Sequence, residues 1–260
     1  MSERNLRQTQ MLELIRVNNG ATISLLKSEF GVSVVTIRKD LEELERDGLI
    51  VRKFGGAVPS QSGDPLESFN VRSRLNRKEK QLIGKNAAAL VNSMDSVIVD
   101  AGSTTLEIVR HLRHGMPITL ITPALNVAME ACTMPNTTVI MPGGGVLDHF
   151  TLSLGGAEAE ESFARLHADK LFLGVRGVDF EHGLMDTDTR RIRLKQTMIR
   201  ASQQVIVVAD SSKIGKPSLI DIAPLDVVSA IVTDEGVDHQ LVDHLTKRGI
   251  QVYISCDGSN

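Results

Sequence analysis

The sequence predicts a two-part α/β chain, in which a small helical module with a basic ribbon precedes a larger domain built on a parallel sheet. Three observations carry that expectation. Residues 21–57 run through a helix, a glycine break, a second helix and a basic ribbon in unbroken order. Between residues 96 and 255, seven short, mostly apolar runs alternate with amphipathic stretches, the pattern of strands buried on both faces and separated by helices. At 260 residues the chain has room for the module and one larger domain with its own core.

In the module, Met11, Leu12, Leu14 and Ile15 give an apolar face to a first helix over residues 5–18, which Asn19-Gly20 ends. Phe30-Gly31-Val32 supplies the next break, because Gly31 tolerates the positive φ that closes a helix. Ser33 caps the following helix, and Ile37, Leu41 and Leu44 fall at i, i+4, i+7 as one buried stripe. Thr36, Arg38 and Lys39 therefore face outward, near the helix end that reaches base edges in a major groove. Val34 and Val35 have two readings, contact with thymine methyl groups or ordinary core packing. A basic helix face is usually just solvated, but cap, glycine break, basic helix start and basic ribbon in this order point to a DNA reader.

Turn residues at Gly55-Gly56 and over residues 59–65 mark a linker, and residues 67–80 read as a connecting arm. The expected divisions are residues 1–58, 59–80 and 81–260. From Gln81 a helix turns Leu82, Ile83, Ala87, Leu90 and Val91 inward. Strands are expected over residues 96–101, 118–122, 138–141, 170–175, 205–210, 230–234 and 251–255, and helices over 104–113, 124–133, 157–167, 191–202 and 238–248. Ligands of such a sheet lie outside the carboxyl ends of its strands.

At one such end stands Asp100-Ala101-Gly102-Ser103-Thr104-Thr105. Glycine admits close backbone approach, the hydroxyls donate and the helix N-terminus favours negative charge, which together suit a phosphate. An ordinary helix cap is the plainer reading. The Walker lysine spacing and the three-glycine dinucleotide pattern are both missing, which disfavours a nucleotide. Neighbouring candidates are Thr122, Gly143 and Gly144, Asp169 and Lys170 with Gly174, and Asp210 to Lys213. Asp169-Lys170 also reads as a surface ion pair, and Lys213 as a neutralising partner of Asp210.

The run from Ser33 to Ala57, with its serine, its threonine-isoleucine-arginine core, its aspartate-leucine step and its glycine pair, resembles the winged helix-turn-helix of the DeoR family of bacterial transcriptional regulators. The strand-end loops are similar to that family's effector domain, whose fold is akin to ribose-phosphate isomerases and coenzyme A transferases, so the resemblance covers nearly the whole chain; amino-sugar and galactosamine-type repressors are among the members it suggests. It implies a recognition helix over residues 33–46 and a wing over 49–54, with Arg52 and Lys53 at phosphates. It further implies that Gly102, Ser103, Thr104 and Thr105 hold the phosphate of a sugar phosphate. Asp100, Asp169, Lys170 and Lys213 then lie near the sugar, with Thr122, Gly143, Gly144, Lys195 and Asp210 completing the site. Three departures stand out. Lys27 replaces a small alanine, Thr122 is followed by Pro123 with Asn126 further on, and Arg190, Arg191 and Arg193 precede Lys195 where relatives carry a glutamate pair. The arginines read either as binders of a second anionic group or as a solvated helix face.

The net charge of −3 divides unevenly: residues 1–80 hold 14 Lys and Arg against 11 Asp and Glu, and the remainder 15 against 21. That basic excess is small, so tight operator binding requires a dimer or tetramer. Two cysteines, Cys132 and Cys256, without metal-ligand spacing, a polar start and no run of ~20 apolar residues give the expectation of a cytoplasmic protein with no metal, no cofactor and no membrane partner. The expected partners are double-stranded operator DNA and a phosphorylated sugar. The alternative is a sugar-phosphate isomerase with an appended DNA module, in which Asp100, Asp169 and Lys213 move protons.

Overall fold

A computed structural model describes residues 3–46, 49–59 and 69–257, so residues 60–65 of the expected linker fall outside the described residues. Contacts divide the chain into Met1–Arg74 and Leu75–Asn260.

The first unit contains α1 (Glu3–Val17), β1 (Ala21–Thr22), α2 (Ile23–Phe30), α3 (Val34–Arg46), β2 (Ile50–Lys53), β3 (Gly56–Pro59) and α4 (Phe69–Arg74). Gly31 closes α2 in the left-handed region, with φ at 61°. Met11, Ile15, Leu26, Ile37 and Leu41 are fully buried and form the core of the unit. Strands β2 and β3 pair antiparallel as the ribbon, and β1 adds to β3 as a third strand. The sequence reading missed β1. Two residues are too short to show a period, although Thr22 also caps α2 by accepting the N–H of Leu25 at 3.2 Å. Lys27 is exposed, so its bulk lies outside the buried core of the helix pair.

The second unit runs α5 (Arg77–Ala88), β4 (Ser96–Val99), α6 (Ser103–His111), β5 (Ile118–Ile121), α7 (Leu125–Ala131), β6 (Thr137–Ile140), β7 (Val146–Asp148), β8 (Ser153–Gly155), α8 (Ala157–Ala164) and β9 (Ala168–Gly174). It continues with β10 (Gly177–Asp179), β11 (Gly183–Asp186), α9 (Ile192–Arg200), β12 (Ser202–Val208), β13 (Ile220–Ala223), β14 (Ala230–Asp234), α10 (His239–Lys247) and β15 (Gln251–Ser255). Seven strands form one parallel sheet in the order β15-β14-β12-β9-β4-β5-β6. These are the seven runs expected. One face carries Ile98, Leu171, Leu173, Val205 and Val207 against Phe163, Leu194 and Met198. On α5, Gly84 lies so close to α6 that a Cβ there would meet Glu107 at 2.5 Å.

Three differences from the expected elements have physical causes. Helix α5 starts at Arg77 and not at Gln81, because Lys80 is buried with its Nζ donating to the Leu75 carbonyl at 2.6 Å, which lets a charged run fold as helix. Helix α9 ends before Ser202, where β12 begins with the polar Ser202-Gln203-Gln204. The hairpin β7–β8 and the small antiparallel sheet β10-β11-β13 were unforeseen, since strands of three or four residues carry almost no periodicity.

Candidate functional site

In the first unit, α3 has a buried and an open side. Ile37, Leu41 and Leu44 are buried, while Arg38, Lys39 and Val35 are exposed, Val35 to 76%. Val34 is half-buried, so only Val35 is clear of the core. The Ser33 Oγ accepts the N–H of Thr36 at 3.1 Å and lies 2.9 Å from the Thr36 hydroxyl, which is thereby engaged at the cap. Asp40, unremarked in the sequence, is buried on the same stripe. Its carboxylate accepts from Arg7 Nε at 2.7 Å and Gln8 Nε2 at 3.2 Å, fastening α1 across α3. The spacing Ile37, Asp40, Leu41, Leu44 was the available signal. Arg52 departs from its expected outward role. Its N–H donates to Glu45 at 3.0 Å and its guanidinium lies 3.3 Å from Glu42, so its charge is met within the module, whereas Lys53 is exposed.

In the second unit the chemistry gathers where strand order turns. Strands β4 and β9 are neighbours, yet the chain leaves β4 toward β5 and β9 toward β12 on the opposite side, the kind of strand reversal outside whose carboxyl ends such sheets form their ligand crevice. Helix α6 begins there. Gly102 is its extended N-cap and no side chain caps it, so the N–H groups of the first turn and the positive end of the helix dipole face the crevice. Ser103 is buried and Thr104 half-buried. The Thr105 hydroxyl differs from its expected role as a ligand donor, because it is fully buried and donates to the Gly102 carbonyl at 3.0 Å.

Asp100 stands beneath that turn with 0% exposure. Its Oδ1 accepts the N–H of Ala101 at 2.7 Å and lies 3.0 Å from Arg191 Nη2; its Oδ2 accepts the N–H of Gly174 at 3.3 Å and lies 3.3 Å from Lys195 Nζ. Lys195 also donates to the Gly174 carbonyl and pairs with Asp186 at 2.6 Å. Two carboxylates and two cations thus balance in a buried cluster that ties the ends of β4, β9 and β11 to α9. Burial pushes the Asp186 carboxyl up, but the charges of Lys195 and Arg191 and the hydrogen bonds from Lys195 and the Thr187 N–H outweigh it and hold the group far below the usual carboxylate range. The three arginines do not act alike. Arg191 is buried, Arg193 is exposed, and Arg190 is an exposed partner of Asp148 at 3.1 Å and Asp188 at 2.9 Å. The solvated-face reading therefore fails for Arg191, which lies four residues before Lys195 on the inner face.

Other expected site residues separate. Asp169 and Lys170 open β9 instead of closing it, so they lie at the amino ends of the strands, away from Gly102. There Asp169 accepts from the Ser96 hydroxyl at 2.6 Å and N–H at 2.8 Å, which lowers its pKa, and Lys170 pairs with Asp95. Thr122 is fully buried and structural, donating to the Val99 carbonyl at 2.7 Å and accepting the Ala124 N–H at 3.1 Å. Gly143 and Gly144 follow β6 at the carboxyl end; the Gly143 carbonyl accepts from Ser162, and Gly144 is left-handed at φ 92°. The Asp210 carboxylate is buried and accepts from Asn76 at 3.1 Å and from Ser212; the Lys213 N–H donates to the Asp210 carbonyl at 2.9 Å, but its ammonium has no ion pair among the described residues. Asn126, in the first turn of α7 beside the end of β5, has both amide atoms buried without a hydrogen bond. No group of acidic, histidine or cysteine side chains among the described residues is arranged to hold a metal ion, and no described helix is long and apolar enough to cross a membrane.

Comparison with known proteins bears on both units. The profile of the DeoR-like helix-turn-helix domain matches residues 7–62, and that of the DeoR C terminal sensor domain matches residues 75–235. The chain is 34% identical over 250 residues to a putative aga operon transcriptional repressor of Escherichia coli O157:H7, covering 95% of this chain and 93% of the relative. It is 36% identical over 246 residues to the uncharacterized HTH-type transcriptional regulator YulB of Bacillus subtilis, covering 95% of each. Among solved structures, ribose 5-phosphate isomerase A of Methanocaldococcus jannaschii aligns with 53% of this chain and 54% of its own at a TM-score of 0.38 and 17% identity. With a capped recognition-type helix and ribbon in one unit, a crevice at the strand reversal in the other, and both profiles and full-length relatives in agreement, the chain belongs to the DeoR family of transcriptional regulators.

Proposed function

We propose that this regulator represses a carbohydrate-utilisation operon in the cytoplasm and releases its operator when a phosphorylated sugar occupies the sensor crevice. The observation that carries the reading is the uncapped first turn of α6 at the strand reversal, a ready anion site with the unpaired Asn126 amide nearby to meet a polar ligand. The relatives support it, since one is named as a repressor of the aga operon. In this reading residues 1–58 read DNA through Arg38, Lys39 and Val35, Lys53 anchors on a phosphate, and residues 81–260 sense and oligomerise. Release follows from linkage: a ligand that prefers the DNA-incompetent arrangement weakens operator binding by the factor by which DNA weakens ligand binding. The small basic excess of the module favours a dimer or tetramer on paired half-sites. The isomerase alternative has less support, because Asp100 is locked in ion pairs and Asp169 lies at the opposite end of the sheet.

A gel-shift titration with DNA from the protein's own promoter and a panel of sugar phosphates tests this. Release by one phosphorylated sugar is expected; operator binding indifferent to the whole panel would refute the sensing role.

A further inference from the structure

A buried cation borders the first turn of α6. That cation is Arg191, which is 7% exposed. Of the donors on its guanidinium, only those on Nη2 are engaged, toward Asp100 Oδ1 at 3.0 Å and the Ala101 carbonyl at 3.4 Å. The contact with Ala101 places the guanidinium one residue from the N-cap of α6. Nε, in the same plane as Nη2, is buried with no hydrogen-bond partner. A buried guanidinium N–H without an acceptor is unfavourable, so the place beside it suits an acceptor. The adjoining first turn of α6 adds backbone N–H donors that no side chain caps. A group that satisfies donors from a helix end and a planar guanidinium together is an oxyanion with several oxygens.

We propose that Arg191 is an oxyanion-binding residue of this sensor site, closing on the phosphoryl oxygens of the effector together with the first turn of α6 and selecting phosphorylated sugars over their parent sugars. The inference rests on the phosphorylated-sugar reading given above. Asp100 is the positioning residue: it holds the guanidinium in place and, with Asp186 and Lys195, keeps the cluster electrically balanced. A lysine at this position retains the charge opposite Asp100 but loses the planar fork.

Isothermal titration of the full-length protein with hexose 6-phosphates, pentose 5-phosphates and the matching unphosphorylated sugars tests the proposal, using the wild type, Arg191→Gln and Arg191→Lys. Arg191→Gln leaves Asp100 short of a cation and is liable to unfold, so Arg191→Lys decides, with its fold verified by a thermal melt. The expected result is that Arg191→Lys binds the phosphorylated ligand roughly 10- to 100-fold more weakly, the loss of a charge-assisted hydrogen bond, and loses most of its preference over the parent sugar. Wild-type affinity and preference in a folded Arg191→Lys protein would overturn the role of Arg191 and leave the effector reading standing. A wild type that binds no phosphorylated sugar would overturn both.

Discussion

Asp100→Asn isolates the charge at the centre of the sensor cluster. The substitution keeps the side-chain shape and an acceptor for the Ala101 N–H, removes the negative charge between Arg191 at 3.0 Å and Lys195 at 3.3 Å, and turns the acceptor of the Gly174 N–H into an amide NH2. Breaking a buried pair in this way costs about 3–5 kcal/mol, because a cation is left uncompensated. Lys195 retains Asp186 at 2.6 Å and the Gly174 carbonyl, so the loss falls on Arg191 and the lower end of that range, about 3 kcal/mol, is expected. Urea unfolding followed by tyrosine emission measures it cleanly. The chain has no tryptophan and one tyrosine, Tyr253 on β15, so the signal reports the sensor unit alone. With a denaturant slope of about 2 kcal/mol/M, the midpoint falls by about 1.5 M. A shift below ~0.5 M, after allowance for the slope, would refute a charge-coupled cluster. The double variant Asp100→Asn, Arg191→Gln loses less than the sum of the single changes, by about 1 kcal/mol or more, if the two groups interact as their distance requires.

Three further outcomes are expected. Arg38→Ala weakens operator binding by about 1–3 kcal/mol and relaxes base preference, whereas Lys53→Ala weakens all sequences alike and lowers the salt slope by about 1; identical behaviour in fluorescence anisotropy across operator variants would erase that distinction. Asp186 titrates far below its ordinary value, so its stabilisation is complete above the unfolded carboxylate pKa of about 4 and is lost as pH falls further; Asp186→Asn flattens the acid limb of sensor-unit stability followed through Tyr253, and an unchanged limb would count against the pairing. Asp40→Ala removes the acceptor that Arg7 and Gln8 share on α3, leaving Gln8 its bond to Glu43 at 2.7 Å, and speeds amide exchange in α3 by an amount equivalent to about 1.5–3 kcal/mol, with exchange at the wild-type rate as the contrary result.

Much of the fold was legible because its determinants are local. Ser33 and Gly31 fix the ends of the two helices through a cap and a left-handed turn, and the seven buried strands are long enough to show as apolar runs. What stayed hidden depends on partners distant in sequence. Nothing near Arg191 marks it as the companion of Asp100, ninety-one residues away, beyond its i, i+4 spacing from Lys195. Arg52 reads as a free cation until Glu42 and Glu45 come alongside it. Asp169 and Lys170 were legible and misplaced: they begin the run that becomes β9, and a residue at the start of a parallel strand belongs to the amino end of the sheet, away from the ligand crevice.

In the proposed mechanism, occupancy of the crevice and occupancy of the operator oppose each other. Calorimetric titration of the same sugar phosphate into the free protein and into the protein–operator complex measures this directly. Weaker ligand binding is expected in the complex, by a factor on the order of 5 to 150. Equal affinity in the two titrations would contradict it.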